Sequence, residues 1–138
     1  MRRIELYFPG EPGSATDWQK RVRLTAPKRL PKMFRPYDCP VALTVNFSFT
    51  LPPSCAHGRR LIQERGVEFW KETRPVLTDQ LLKDLGRALT GIVWTRKTRV
   101  CRIAAAKTYG AKPGITVIVE PLEAMILPGG KTDESAFF

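Results

Sequence analysis

Apolar positions recur with a period of two in four stretches of this chain and with a helical period in one. Ile4, Leu6 and Phe8 alternate with Glu5 and Tyr7, which predicts a strand ending at the Pro9-Gly10 turn. The clearest strand runs from Pro40 to Leu51, where Val41, Leu43, Val45, Phe47, Phe49 and Leu51 share one face and Pro52-Pro53 stops it. Between Asp79 and Leu89 the spacing changes. Leu81, Leu82, Leu85, Ala88 and Leu89 make an apolar stripe, with Gln80, Lys83, Asp84 and Arg87 opposite, so a short amphipathic helix is expected. Thr78 is its predicted N-cap, Asp79 suits the positive end of the helix dipole, and Gly91 supplies a left-handed stop. Strands over Thr98–Lys107 and Ile115–Val119 follow, separated by the turn signals Tyr109-Gly110 and Pro113-Gly114.

The remaining text is less regular. Residues 10–38 are rich in Pro, Lys and Arg, and the repeated prolines argue against a long helix there. A basic loop is expected, either ordered on a partner or a solvated linker. Residues 54–74 are polar, with a helical turn expected around Leu61–Phe69, and the tail 127–138 is expected to be mobile. No internal repeat occurs. The element order predicts an α+β fold: a small mixed or antiparallel sheet with one main amphipathic helix, in a single domain over residues 1–126.

Composition changes the picture through charge. Lys and Arg number 23 against 13 Asp and Glu in 138 residues, a formal net charge of +10. Such an excess favours a polyanionic partner, because cations that neutralise phosphates release condensed counterions. No apolar run approaches the roughly 18 residues of a membrane span. Met1-Arg2-Arg3 leads straight into a strand pattern without the apolar core of a signal peptide, so a cytoplasmic protein is expected. Cys39, Cys55 and Cys101 are odd in number and widely spaced, and read as free thiols in a reducing compartment.

The candidate chemistry is thin. His57 and Cys55 alone cannot build a four-ligand zinc site, and a nucleophilic pair in a proline-bounded loop lacks rigid placement. Glycine-rich phosphate loops are absent. Glu64, Glu68 and Glu72, at i, i+4 and i+8, line one face if that segment is helical, more in keeping with a solvated surface than a metal site. Aromatics amid the cations say more. Trp18, Phe34, Trp70 and Trp94 accompany Lys20, Arg21, Lys71, Arg74, Arg96, Lys97 and Arg99. Cations fix a phosphate backbone while exposed rings stack on unpaired bases, although half or more of these rings are expected in the core.

Three blocks carry a family resemblance. They are Pro40-Val41 through Phe49-x-Leu-Pro-Pro-Ser54, the run RPVLTDQLLKDLGRALTGIVW from Arg74 to Trp94, and Val100–Val119 with Lys107-x-Tyr109-Gly110 and Pro113-Gly114. The chain from Pro40 to Pro121 resembles the RusA family of phage and prophage Holliday-junction resolvases, enzymes of DNA recombination and repair. The likeness implies a long second strand, a closing hairpin, a homodimer, and Asp residues at the helix start and after Gly-x-x-Trp that bind magnesium for phosphodiester hydrolysis.

Residue by residue, the correspondence fails at the metal site. Anchored on Lys83, the signature's first Asp falls at Leu77 and its second at Asp79, while its Asn falls at Gln80. The later helix Asp becomes Arg87, the Asp-Asp pair becomes Arg96-Lys97, and a following Gln becomes Arg99. Of the family's set, Asp79 and Lys83 remain as candidate catalytic residues and Asp79 as a candidate metal ligand. The expectation is a RusA-like protein that binds branched DNA without cleaving it and needs no cofactor. Its DNA contacts are expected at Lys20, Arg21, Arg74, Lys83, Arg87, Arg96, Lys97 and Arg99. Two alternatives stand beside it. One is an active Mg²⁺-dependent junction endonuclease recruiting Asp84, Glu72 or Glu68 to join Asp79. The other is a regulator using the scaffold to bind an acidic protein partner.

Overall fold

The alternating β-branched and aromatic residues of the second apolar run build the central strand of a five-stranded sheet. The protein is described here by a computed structural model covering residues 3–13 and 17–122, so the predicted tail at 127–138 lies outside the described residues. Strand β1 is Ile4–Pro9, β2 Val41–Phe49, β3 Phe69–Trp70, β4 Val100–Tyr109 and β5 Gly114–Pro121. Their order across the sheet is β1-β5-β2-β4-β3. Strand β2 runs antiparallel to β5 and parallel to β4, so the sheet is mixed and the α+β expectation holds.

The closing hairpin does not form as expected. Strands β4 and β5 lie on opposite sides of β2, and residues 110–113 step over its end, where the Gly110 N–H donates to the Phe49 carbonyl at 3.0 Å. A turn signal between two strands specifies a reversal of direction. It does not specify which strand becomes the neighbour, and β2, apolar along its whole inner face, takes the place between them.

The helices also depart from expectation. Helix α1 spans Trp18–Arg29, inside the stretch read as a loop. Trp18, Val22 and Ala26, four residues apart, form its buried stripe, and Pro27 falls in the last turn, where little of the helix remains to break. Helix α2 spans Ala56–Arg65 and ends at the left-handed Gly66. It therefore begins before the expected turn, takes in His57, and leaves Glu68 and Glu72 off any helix shared with Glu64. The predicted amphipathic helix starts at Leu77 with a π-helical turn to Leu82 and continues as α3, Lys83–Leu89. Val76, not Thr78, precedes it. The Val76 N–H is met by the Gln80 side-chain oxygen at 3.4 Å, and its carbonyl accepts from the Leu81 N–H, five residues on. Gly91 has the expected positive φ of 87°.

One face of the sheet makes the core. Leu6, Phe8, Val41, Leu43, Val45, Phe47, Val117 and Val119 meet Trp18, Val22 and Ala26 of α1 and Leu81, Leu85 and Leu89 of the α3 segment. Helices α1 and α3 pack on each other there. The three cysteines are free. No helix among the described residues is long and apolar enough to cross a membrane.

Candidate nucleic-acid interface

The buried stripe of α3 dictates what its other side presents. With Leu81, Leu85, Ala88 and Leu89 turned inward, Asp79, Lys83 and Arg87 are exposed at intervals of four. Clefts open on either side of this row. One, about 160 Å³, is lined by Lys83, Gly86, Lys97, Trp94 and apolar Leu43, Leu82, Val100 and Ile103. The other, about 310 Å³, lies against α1 and is lined by Gln19, Lys20, Arg23, Arg87 and Ala88. Helix α3 is thus a ridge carrying Lys83 and Arg87, with Lys97 on one flank and Lys20 on the other.

Arg23 joins the two helices. Its Nη1 donates towards the carbonyls of Arg87, Ala88 and Thr90 at 3.3, 3.2 and 3.3 Å, placing a cation at the negative end of α3.

The turn after α3 is held by Trp94, 1% exposed. Its indole N–H donates to the Thr90 hydroxyl at 3.0 Å, and that hydroxyl donates to the Gly86 carbonyl at 2.6 Å. Tyr37 bridges the same turn, its N–H to the Val93 carbonyl and its carbonyl to the Thr95 N–H. From this anchor, Arg96 to Arg99 emerge through a 3₁₀ turn over Lys97–Arg99. The Asp38 carboxylate accepts from the Thr95 hydroxyl at 2.9 Å and from Arg99 Nη2 at 2.7 Å. These hydrogen bonds, with the positive charges of Arg99 and Arg96, hold Asp38 below the usual carboxylate range.

The eight cations expected to contact DNA are therefore not equivalent. Lys20, Lys83, Arg87 and Lys97 gather around α3, and exposed Arg96 adjoins them on the turn. Arg99 is occupied by Asp38. Arg21 faces the other side of α1, in a cavity of about 120 Å³ with Phe8, Pro9 and Arg29, since neighbours on a helix do not share a face. Arg74 is exposed at the cis Arg74–Pro75 bond and lines neither cleft. There Lys107 Nζ fastens the Thr73 and Pro75 carbonyls at 2.7 and 2.8 Å. Asp38 and the role of Arg23 escape sequence reasoning, because both depend on partners roughly sixty residues away. Of the four aromatics set among cations, Trp18 and Trp94 are core residues, Phe34 packs edge-on against Tyr37, and Trp70 is exposed.

A family model, endodeoxyribonuclease RusA, matches residues 6–120. The chain belongs to the RusA family. Membership supports a Holliday-junction and DNA-binding role, and RusA nucleases typically depend on magnesium. No curated protein matches the chain.

The RusA metal can be tested against the residues present. Magnesium demands an octahedron of oxygen ligands. Leu77 offers none, and Arg96 and Lys97 oppose a dication with charge of the same sign. Asp38, the carboxylate that reaches this turn, is bound by Thr95 and Arg99. Glu68, one of the carboxylates considered as a substitute, lines a cavity with Tyr7, Asn46 and Thr116, away from α3. Among the described residues, no three His, Cys, Asp or Glu side chains are grouped to hold a metal. These residues do not fit a RusA magnesium site.

Proposed function

We propose that this RusA-family chain binds branched DNA, such as a four-way junction, through the ridge of α3 and the turn beside it, and does not cleave it. The observation that carries this reading is a substitution of sign. Where the family signature has carboxylates, this chain has Arg87, Arg96 and Lys97; Arg87 and Lys97 line the clefts of the α3 ridge with Lys83 and Lys20, and exposed Arg96 precedes Lys97 on the adjoining turn. Cations so arranged contact phosphate directly, in place of a metal bridge. The test is a gel shift with labelled four-way junction and matched linear duplex, with and without Mg²⁺ or Mn²⁺. Preferential junction binding without product is expected. Metal-dependent symmetric nicks would overturn the inactive reading, and no binding at moderate salt would overturn the DNA reading altogether.

A second reading, an active nuclease, has one observation in its favour: Asp79 and Lys83 are exposed one turn apart on the same helical row. Asp79→Ala separates the two. It abolishes cleavage if the site is active, and leaves binding unchanged or tighter if the face is a phosphate cradle.

A homodimer belongs to the same proposal. Strand β3 pairs with Tyr109 and Thr108, so among the described residues the outer edge of β4 from Val100 to Ala106 faces no strand. Ile103 there is 51% exposed beside the apolar side of the Lys83–Lys97 cleft. An antiparallel pair of such edges is two-fold symmetric and matches the symmetry of a junction.

A further inference from the structure

The sheet face turned away from α1 and α3 takes no part in the site just described. Strand register sets its side chains in rows: Tyr7, Thr116, Asn46 and Ala106 in one, Ser48, Thr108 and Trp70 in the next. The floor is thus small or short polar residues, with an aromatic ring at each end. Asn46 and Thr108 hydrogen-bond across it at 3.3 Å.

Both rings reach solvent, Trp70 largely and Tyr7 in part. Trp70, on a two-residue strand, is 76% exposed. Tyr7 is 38% exposed, and its hydroxyl donates to the Pro113 carbonyl at 3.1 Å. A Cβ on Gly114 would lie 2.4 Å from the Tyr7 hydroxyl oxygen, so only glycine lets the ring rest across this strand.

A cavity of about 500 Å³ opens over the floor, lined by Tyr7, Asn46, Ser48, Thr116, Glu68 and Lys112 among others. Gly110 and Ala111 connect it to a smaller cleft that includes Arg59. Cations therefore stand at one end of the floor. Glu68 stands beside Lys112 in the cavity, and at the other end Glu5 pairs with Arg3 while Glu120 adds a further acid.

We propose that this face binds a short single-stranded stretch of nucleic acid, with bases stacked on Tyr7 and Trp70 and phosphates held by Lys112 and Arg59. Duplex DNA hides the faces of its bases, whereas unpaired bases offer them, and stacking on exposed rings is the interaction that tolerates any sequence. Adjacent strands lie about 4.8 Å apart, so β1 and β3 are separated by about 19 Å and the two rings serve different bases. Thr108 is buried and paired with Asn46, so the Ser48 and Thr116 hydroxyls between the rings supply the groups for base edges. The surface lies across the sheet from α3 and does not rest on the junction reading.

The experiment uses tryptophan fluorescence. Trp18 and Trp94 are 4% and 1% exposed, so quenching by a short oligothymidine reports Trp70. Saturable quenching is expected. Tyr7→Ala and Arg59→Ala should each weaken it about tenfold. Tyr7→Phe, which keeps the ring, should restore affinity, while the Lys83→Ala/Lys97→Ala pair should leave it unchanged. Anisotropy of a labelled oligothymidine gives the same comparison for Trp70→Ala, and urea denaturation checks that each variant is folded. The proposal is overturned by absent quenching, by equal affinity in Tyr7→Ala, or by loss in the Lys83/Lys97 variant. Equal quenching by polyglutamate would overturn it in favour of an acidic protein partner. Junction binding, measured on the Lys83/Lys97 variant, stands or falls separately.

Discussion

Asp38 shows how one residue can set the charge that a surface presents. Its carboxylate restrains Arg99 and Thr95, and so removes one guanidinium from the cations open to phosphate. Asp38→Asn should release Arg99 and tighten DNA binding a few-fold, readable as a shift in a junction titration. The same group predicts a pH dependence. Because its folded-state pKa lies below the ordinary value of 3.8, its stabilising contribution is complete above that value and is lost as pH falls through the lower folded one. Urea midpoints measured down an acid series should fall less steeply in Asp38→Asn than in the wild type. Arg23 acts on packing instead. Replacing it by Met keeps much of the stem and removes the charged donor from three carbonyls at the end of α3. A loss of about 1 kcal/mol in urea denaturation is expected.

Among elements, α1 has the most to test. Its polar face is dense with cations, yet Trp18, Val22 and Ala26 are 4, 1 and 0% exposed against α3 and the sheet. A segment that were only a DNA-binding arm would tolerate Trp18→Ala. As a core helix it should lose about 3–5 kcal/mol, seen as a lowered urea midpoint in the absence of DNA. Strand β4 makes the opposite point, since among the described residues its Val100–Ala106 half has a strand on one side only. Ile103→Lys should leave the monomer folded and convert a dimer to monomer in sedimentation velocity. An unchanged sedimentation coefficient at dimer mass would move the interface elsewhere.

The whole molecule carries +10 at neutral pH, and cations gather most densely around the α3 ridge. Binding through the α3 ridge should weaken steeply with salt, with each neutralised phosphate adding about 0.9 to the logarithmic slope. Lys97→Ala should lower that slope by about one and reduce affinity similarly on all sequences, as measured by junction titrations across salt concentrations. A slope unchanged in Lys97→Ala would remove this residue from the interface. The two proposed faces together would suit a substrate that contains both paired and unpaired DNA.

Periodicity alone determined β1, β2, β5 and the helix after Val76, because burial of one face leaves a mark every two or every three to four residues. The family resemblance, rather than periodicity, set Leu77, Arg87, Arg96 and Lys97 against the signature's carboxylate positions, since the identity of a residue in a spaced motif does not depend on folding. Other features were decided only in three dimensions. Turn signals at 109–114 could not say that β2 would lie between β4 and β5. The prolines and cations of residues 10–38 masked a helix whose stripe consists of three residues. The tryptophans, alike in sequence, were sorted into two core anchors and one exposed ring by what lies across from them. Asp38 found Arg99, and Arg23 found the end of α3, through contacts about sixty residues apart. Local pattern records which face of an element avoids water. Which element covers that face, and which charges are left exposed or neutralised, follows from packing between distant segments.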